Sequence, residues 1–468
     1  MAGYRFSSQV ASISPKMHGR AAGLHGRVAN VVCDQPASLK RFELRGYQFR
    51  LCRWGTQKMI LDEVCKNTLE SVRESGLCTG CAACSQSCPQ GAIDMAENDE
   101  GFLYPGINRE RCNDCGLCRK ICPANATAAE DSKIPKTENS GGQGVGNSEE
   151  HKAYACLSKD DDIRAKSSSG GLFTLLALDV LSRGGVVFGA GFDETFRVRH
   201  CYIESAGDID SLRRSKYVQS DTCNTFRETK DFLTTGKEVL YCGTPCQIAG
   251  LKAFLNKDYE NLLTCDLACS GVPSPKVWRM YLDYLCDKYK SKIASVSFRD
   301  KSEGWADYKM KIVFKNGSWY SDRAKRELFF IGFGKNIFNR SSCFNCKFRL
   351  SNTKADITLA DFWGVGTLND KDFMDNKGVS LLITNTNKGE RALLKMNDKM
   401  LVKPEPLEIA TRYNPRLVSS VAEPAKRKSF FDDMRAGHDF DRLRRKYMDN
   451  FSVKYKVKNV LKKILGRA

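Results

Sequence analysis

Eight cysteines fall in two runs of one spacing. CTGCAACSQSCP places Cys78, Cys81, Cys84 and Cys88 at C-x2-C-x2-C-x3-C-P, and CNDCGLCRKICP repeats the pattern with Cys112, Cys115, Cys118 and Cys122. Thiolates at this spacing wrap one face of a cubane iron–sulfur cluster, and in a duplicated run the fourth thiolate of each cluster comes from the other run. Cys78, Cys81, Cys84 and Cys122 are therefore assigned to one 4Fe-4S cluster, and Cys112, Cys115, Cys118 and Cys88 to a second. Pro89 and Pro123 turn the chain after each crossed ligand. Zinc sites more often use paired CxxC knuckles than runs of four. Two close clusters form an electron wire and do no bond chemistry themselves.

Six further cysteines are grouped at turns. Cys242 and Cys246 bracket Gly-Thr-Pro in EVLYCGTPCQIAGLKAFL, Cys265 and Cys269 lie in LLTCDLACSGVPSP, and Cys343 and Cys346 form SSCFNCKFR. Thr244 suits a helix N-cap, Pro245 the first helical position, and Cys246 the first turn. A thiol there faces the positive end of a helix and should ionise more easily. Cys33, Cys52, Cys65, Cys156, Cys201, Cys223 and Cys286 stand alone and read as small hydrophobes.

The elements that must position these residues follow from composition. Twenty-one cysteines in a chain of 468 residues do not read as disulfides, because the tight CxxC spacing points to metal in a reducing compartment. No apolar run is long enough to span a membrane, and the first residues lack the apolar stretch of a signal peptide, so the chain is read as cytoplasmic. Of the formal charge of +19, residues 1–60 carry +8 and residues 425–468 carry +9. The body between is nearly neutral and lacks an aromatic–basic platform, which argues against nucleic acid. Residues 1–58 read as a basic, poorly ordered extension, with Met59 as the expected true start. A cysteine-rich module fills 59–127, a Gly/Ser/Asn/Glu-rich linker 128–150, an α/β domain of alternating strands and helices 151–410, and a basic tail 411–468. In that tail Val453, Val457, Val460, Leu461, Ile464 and Leu465 share one helical face with lysines on the other. The pattern fits peripheral contact with the inner face of a membrane, or a helix docked on its own domain.

Residues 76–125 resemble bacterial 2(4Fe-4S) ferredoxins. Farther on, RAKSSSGGLFTLLA, RRSKYVQSD, GTPCQIAGL, DLACSGVPSPKVW, CFNCKFR and ADITLADFWGVG occur in order. Together they resemble the coenzyme F420 hydrogenase/dehydrogenase beta-subunit family, fused here to a ferredoxin. The resemblance implies an α+β ferredoxin-like dicluster module followed by an α/β FAD and iron–sulfur domain. It implies a flavoprotein oxidoreductase with a third 4Fe-4S cluster on Cys246, Cys269, Cys343 and Cys346, for which Cys242 and Cys265 are substitutes or plain core residues. Family members often carry histidine where this chain has Ser270.

The Ser/Gly turn before a helix suits a pyrophosphate, so Ser168, Ser169, Gly170 and Gly171 are candidate FAD contacts, and the same turn is also an ordinary N-cap. Lys216, Tyr217 and Gln219 could hold flavin or substrate. Lys216 and Asp361 are the candidate catalytic residues, with turn capping the plainer role for Asp361. Electrons would pass between a redox partner protein or reduced ferredoxin and an organic or deazaflavin substrate. The rival readings are a non-catalytic electron-transfer protein of a larger complex and a redox-sensing scaffold. If the tail touches lipid, removing residues 451–468 should lower recovery in liposome flotation; equal recovery of both forms would exclude the tail.

Overall fold

Short apolar runs closed by polar turns become the strands of one large sheet. A computed structural model describes the backbone of residues 40–44, 47–54 and 57–61, and residues 69–125 and 151–449. The linker at 128–150 and the tail pattern at 451–468 lie outside the described residues, as do residues 1–39. The chain divides into two units, Met1–Lys66 and Asn67–Ala468.

In the first unit, β1 (Lys40–Leu44), β2 (Tyr47–Trp54) and β3 (Gln57–Leu61) pair as an antiparallel meander. Backbone pairing thus enters the segment expected to be an unstructured extension, and Met59 lies within β3 opposite Cys52. The alternation of FELRGYQFRLCRWGTQKMIL, interrupted by Arg-Gly and Gly-Thr, carries the strand signal. Its high charge masks it.

The second unit begins with the dicluster module. Short helices at Ala83–Ser87 and Leu117–Lys120 carry Cys84 and Cys118, and β4 (Ile93–Glu97) pairs antiparallel with β5 (Leu103–Ile107). The remaining strands are β6 (Lys152–Ser158), β7 (Val186–Phe192), β8 (Val198–Ile203), β9 (Val239–Cys242), β10 (Leu262–Leu267), β11 (Ile293–Asp300), β12 (Lys309–Phe314), β13 (Trp319–Arg323), β14 (Ile357–Asp361), β15 (Ser380–Thr384) and β16 (Met400–Glu405). Eight of them form a mixed sheet in the order β16-β6-β15-β14-β10-β9-β7-β8. The middle four, β14, β10, β9 and β7, are parallel, and the flanking pairs are antiparallel. Strands covered on both faces carry apolar runs without alternation, as in β15, whose Leu381-Leu382-Ile383 centre and flanking Ser380 and Thr384 are all buried.

A second sheet, β11-β12-β13, packs with the helix Pro275–Tyr289 around Trp278, Tyr281, Phe298, Phe314, Phe329 and Phe338. The Trp278 and Phe298 rings lie 4.8 Å apart. Helices Arg427–Arg435 and Phe440–Tyr447 enter this same core through Phe430, Phe431, Phe440 and Tyr447. The folded domain therefore continues past residue 410 to the last described residue, where sequence reading places a basic tail. The charged outer faces of these two helices outnumber, and so hide, the apolar positions that dock them. Among the described residues no helix is long and apolar enough to cross a membrane.

The module is held against the sheet domain along its hairpin. Ser274 Oγ donates to the Glu100 carbonyl at 2.5 Å, and Arg427 makes two bonds to the Glu100 carboxylate. Gly101, at φ +87, lies so close to the first turn of Pro275–Tyr289 that an added Cβ would sit 2.8 Å from the Lys276 amide nitrogen and overlap the Lys276 Cβ. Gly101→Val should therefore push the hairpin off this helix. The expected result is a loss of about 1–3 kcal/mol, read as a lower denaturant midpoint, with faster trypsin cleavage within the module. Unchanged stability and cleavage would show that the hairpin does not dock there.

Candidate redox site

The thiols gather in three groups. Burial pushes the Cys81 thiol up to about 12, and Cys122 and Cys78 add to the effect. Cys84 is raised by burial and then by Cys81, Cys78 and Cys122. Cys118 is raised by burial and by Cys112, Cys115 and Cys88. Cys81 and Cys84 thus feel Cys78 and Cys122, and Cys118 feels Cys112, Cys115 and Cys88, while Cys122 feels both Cys78 and Cys118.

The third group joins distant segments. Cys246 is raised to about 11 by burial and then by Cys346. Cys269 is raised by burial, then by Cys343, Cys246 and Cys346. Cys343 is pushed to about 12 by burial, with Cys246 and Cys346 adding to it. Among the described residues no three His, Cys, Asp or Glu side chains converge on a point fit for a single metal ion. A cubane takes one thiolate on each iron and requires no such convergence.

Local structure presents Cys246 as its sequence predicts. It follows Pro245 in the first turn of the helix Pro245–Leu255, capped by Thr244, whose amide and hydroxyl both donate to Gln247 Oε1 at 2.9 and 3.0 Å. The expected ease of ionisation is corrected. Burial and the neighbouring thiol outweigh the helix terminus, so without iron this thiol stays protonated. Cys242 and Cys265 are register partners on β9 and β10, and Cys265 is raised first by its bond to Cys242 and then by burial. These two thiols face each other across adjacent strands.

The first group lies against the helix that carries Cys246. Cys81 Sγ lies over the Cys246 helix at Gly250, where an added Cβ would come within 2.9 Å of it. Cys246 also feels a bond to the Thr79 side chain, between the first two cysteines of the module. Arg340 is fully buried at 0% exposure between the groups. Its Nε donates to the Cys78 carbonyl at 2.8 Å, Nη1 to Gln219 Oε1 at 3.1 Å, and Nη2 to the Leu103 carbonyl at 3.0 Å. The guanidinium stacks over Tyr104 at 4.0 Å, and its charge draws down both the Cys246 and the Cys343 thiols.

Beside the third group opens a cavity of about 570 Å³. It lies at the carboxyl ends of the parallel strands, where open α/β sheets bind ligands. Residues following β9 (Gly243, Thr244, Cys246), β10 (Ala268, Cys269, Ser270) and β14 (Trp363) line it. Ser168, Ser169, Gly171, Lys216, Tyr217 and Gln219 line it too, whereas Gly170 packs beneath, donating to Ser380 Oγ at 2.9 Å. The turn is largely engaged with protein. Ser168 Oγ accepts from the Ser215 amide, Ser169 Oγ donates to the Val379 carbonyl, and Gln219 Nε2 donates to the Thr79 carbonyl.

The two catalytic candidates are likewise occupied. Lys216 Nζ donates to the carbonyls of Ser211, Leu212 and Arg213 at 3.2, 3.1 and 2.8 Å, and burial lowers it to about 7. Asp361 accepts from Arg299 Nη1 at 2.5 Å and from Trp305 Nε1 at 2.8 Å. Sequence reasoning misses Arg299, Trp305, Tyr308 and Arg340. The first three come from the β11–β12 hairpin, which has no spacing signature, and Arg340 is one unmarked residue three positions before Cys343.

Comparison with known proteins follows the two halves of this arrangement. Residues 77–126 match the 4Fe-4S dicluster domain, and residues 236–409 match the C terminus of the coenzyme F420 hydrogenase/dehydrogenase beta subunit. Among curated proteins the chain is similar to an F(420)H(2) dehydrogenase subunit of Methanosarcina mazei, 22% identical over 50% of this chain and 62% of that protein. It is similar to the coenzyme F420-dependent sulfite reductase of Methanocaldococcus jannaschii, 23% identical over 47% of this chain and 32% of that protein. The chain thus spans less than two thirds of either relative. The module alone is 38% identical to the ferredoxin-type protein NapF of Escherichia coli, over 11% of this chain and 30% of that one. A chain of the F420-reducing [NiFe] hydrogenase complex from Methanosarcina barkeri aligns with TM-score 0.40 and 18% identity, over 60% of this chain and 91% of that one.

A buried cation favours each added electron nearby. Arg340→Met should therefore shift the midpoint potentials of the adjoining groups to more negative values, read by anaerobic redox titration with electron paramagnetic resonance. Unchanged potentials would show that the guanidinium charge does not act on them.

Proposed function

We propose that the chain is an iron–sulfur flavoprotein oxidoreductase, from the match of residues 236–409 to the C terminus of the coenzyme F420 hydrogenase/dehydrogenase beta subunit behind a 4Fe-4S dicluster domain. It exchanges electrons between a redox partner protein and an organic or deazaflavin substrate. The observation that carries this reading is the contact between the Cys78–Cys81–Cys84–Cys122 group and the helix that holds Cys246, at the edge of a cavity large enough for a cofactor and substrate. Electron transfer needs such adjacency, and a storage or scaffold role does not.

The cavity residues fit a flavin by a test independent of family. The helix Leu172–Ser182 points its first turn at the cavity, with Gly171 as a cap at φ +96 and no side-chain capping bond, so its leading N–H groups have no partner within the helix. Tyr217, Tyr308 and Trp363 supply aromatic walls, and Arg299 lines the cavity beside them. Bound there, FAD would link the one-electron exchange of iron–sulfur clusters to two-electron chemistry. The chain's own residues do the rest. Ser168 and Ser169 are pinned by their backbone partners and hold the turn in place. Asp361, bonded on both oxygens, is a positioning residue for Arg299 and Trp305. The ammonium of Lys216 fixes the loop at Ser211–Arg213. Ser270 stands at the cavity wall where relatives of this pattern often carry histidine, so a proton from that position would come from a hydroxyl or from solvent.

Protein purified without oxygen should contain about twelve iron atoms and about one FAD per chain, and Cys246→Ser should lose about four of those irons. About eight irons with no flavin in the unaltered protein would overturn the flavoenzyme reading and favour an electron carrier.

A further inference from the structure

Two thiols are left over in the cavity once the third group is counted. A cubane takes four thiolates, and Cys246, Cys269, Cys343 and Cys346 supply them. Cys242 and Cys265 line the same cavity. They are direct register partners on the parallel strands β9 and β10. Neighbouring strands run about 4.8 Å apart, within the Cα span of about 4.4–6.8 Å that a disulfide bridges. Both pack with Leu172 and Leu359, which also line the cavity, so both side chains stand on one face of the sheet. The backbone around them is pinned. The Gly243 amide donates to the Cys265 carbonyl at 3.0 Å, and His200 Nε2 donates to the Cys242 carbonyl at 3.0 Å. The two thiols differ in access. Cys265 is fully buried, at 0% exposure, whereas Cys242 is half-buried at the cavity.

We infer that Cys242 and Cys265 form a reversible dithiol–disulfide couple in this cavity, with small-molecule disulfides and thiols as its exchange partners. Cys242, the thiol with access, attacks one sulfur of a disulfide RSSR. That S–S bond breaks, a mixed disulfide forms on Cys242, and one RSH leaves with the Cys242 proton. Cys265 then attacks the Cys242 sulfur, the bond to the remaining RS group breaks, and a second RSH leaves with the Cys265 proton. In sum, one RSSR is reduced to two RSH while two protein thiols are oxidised to a disulfide. A small dithiol drives the same steps backward. The largest influence on the Cys265 thiol is its bond to Cys242, ahead of burial, so the two sulfurs already meet in the reduced pair. Such burial suits a resolving cysteine, which has to meet its partner sulfur and never the free disulfide. Cys156 gives the contrast, being equally buried on β6 with a thiol raised by burial alone. The couple needs neither iron nor flavin, so it does not rest on the flavoenzyme reading.

The test uses the full chain purified without oxygen, with hydroxyethyl disulfide as the probe. After treatment the remaining free thiols are alkylated under denaturing conditions, and the peptides are read by mass spectrometry. A cross-link between the Cys242 and Cys265 peptides should form, disappear on addition of dithiothreitol, and leave the iron content unchanged, while Cys156 stays reduced. In Cys265→Ala the mixed disulfide on Cys242 loses the attacking group held beside it, so it should last at least about tenfold longer than in the unaltered chain. Absence of the cross-link under conditions that modify the exposed Cys201 would overturn the inference. So would loss of iron in step with the cross-link, or loss of about four irons from Cys242→Ser, since either result makes the pair part of a cluster. The cross-link and its reversal need no variant to fold. A chain that lacks flavin yet forms the cross-link would sink the flavoenzyme reading and leave the couple standing.

Discussion

One fully buried guanidinium ties the two halves of this site together. Arg340 spans from the Cys78 carbonyl and the Leu103 carbonyl of the dicluster module to Gln219 of the sheet domain, under the Tyr104 ring. A charge so placed is tolerable only because its donors meet acceptors and its field meets groups that become negative. The thiols on either side are those groups. Burial opposes their ionisation, and Arg340 partly offsets that for Cys246 and Cys343. The cation that holds the module in place thus also acts on the thiols on either side.

The close approach at Gly250 obeys the same constraint from the packing side. A side chain there would displace Cys81, so the spacing between the first and third thiol groups depends on a missing Cβ. Around it, backbone-directed bonds lock the module down. Thr222 Oγ1 donates to the Cys81 carbonyl at 3.1 Å, and Arg227 Nε donates to the Gln86 carbonyl at 2.6 Å. Bonds to carbonyls fix position without consuming the thiols.

The cavity is assembled by a different rule. Parallel strands end on one side, and the loops leaving β9, β10 and β14 bring Cys246, Cys269 and Trp363 to that side. The smaller sheet contributes Arg299 from β11, with Tyr308 just ahead of β12. Its aromatic core around Trp278 and Phe298 holds that strand firmly, so the guanidinium reaches the cavity on a rigid support. Catalytic candidates chosen for their chemistry alone, Lys216 and Asp361, serve here as anchors for other residues.

What local sequence could determine, it did. The spacing of two cysteine runs, the Thr-Pro-Cys helix start and the alternation of apolar runs each depend on neighbours within a few residues, and each is visible in a linear reading. The gathering of Cys246 with Cys269, Cys343 and Cys346 was legible through resemblance, because ordered motifs stand in for contacts that spacing alone cannot reveal. Charge misled in two places. It hid the strands at 40–61 and the docked helices at 427–447, since polar outer faces swamp the few apolar positions that pack. Only the tertiary structure decided the rest. It buried Cys246 deeply enough to reverse the effect of its helix terminus, committed the donors of Lys216, and left one edge of Arg299 unpaired. Each of these depends on which distant groups share a dry space, and burial and pairing are properties of that space rather than of any stretch of chain.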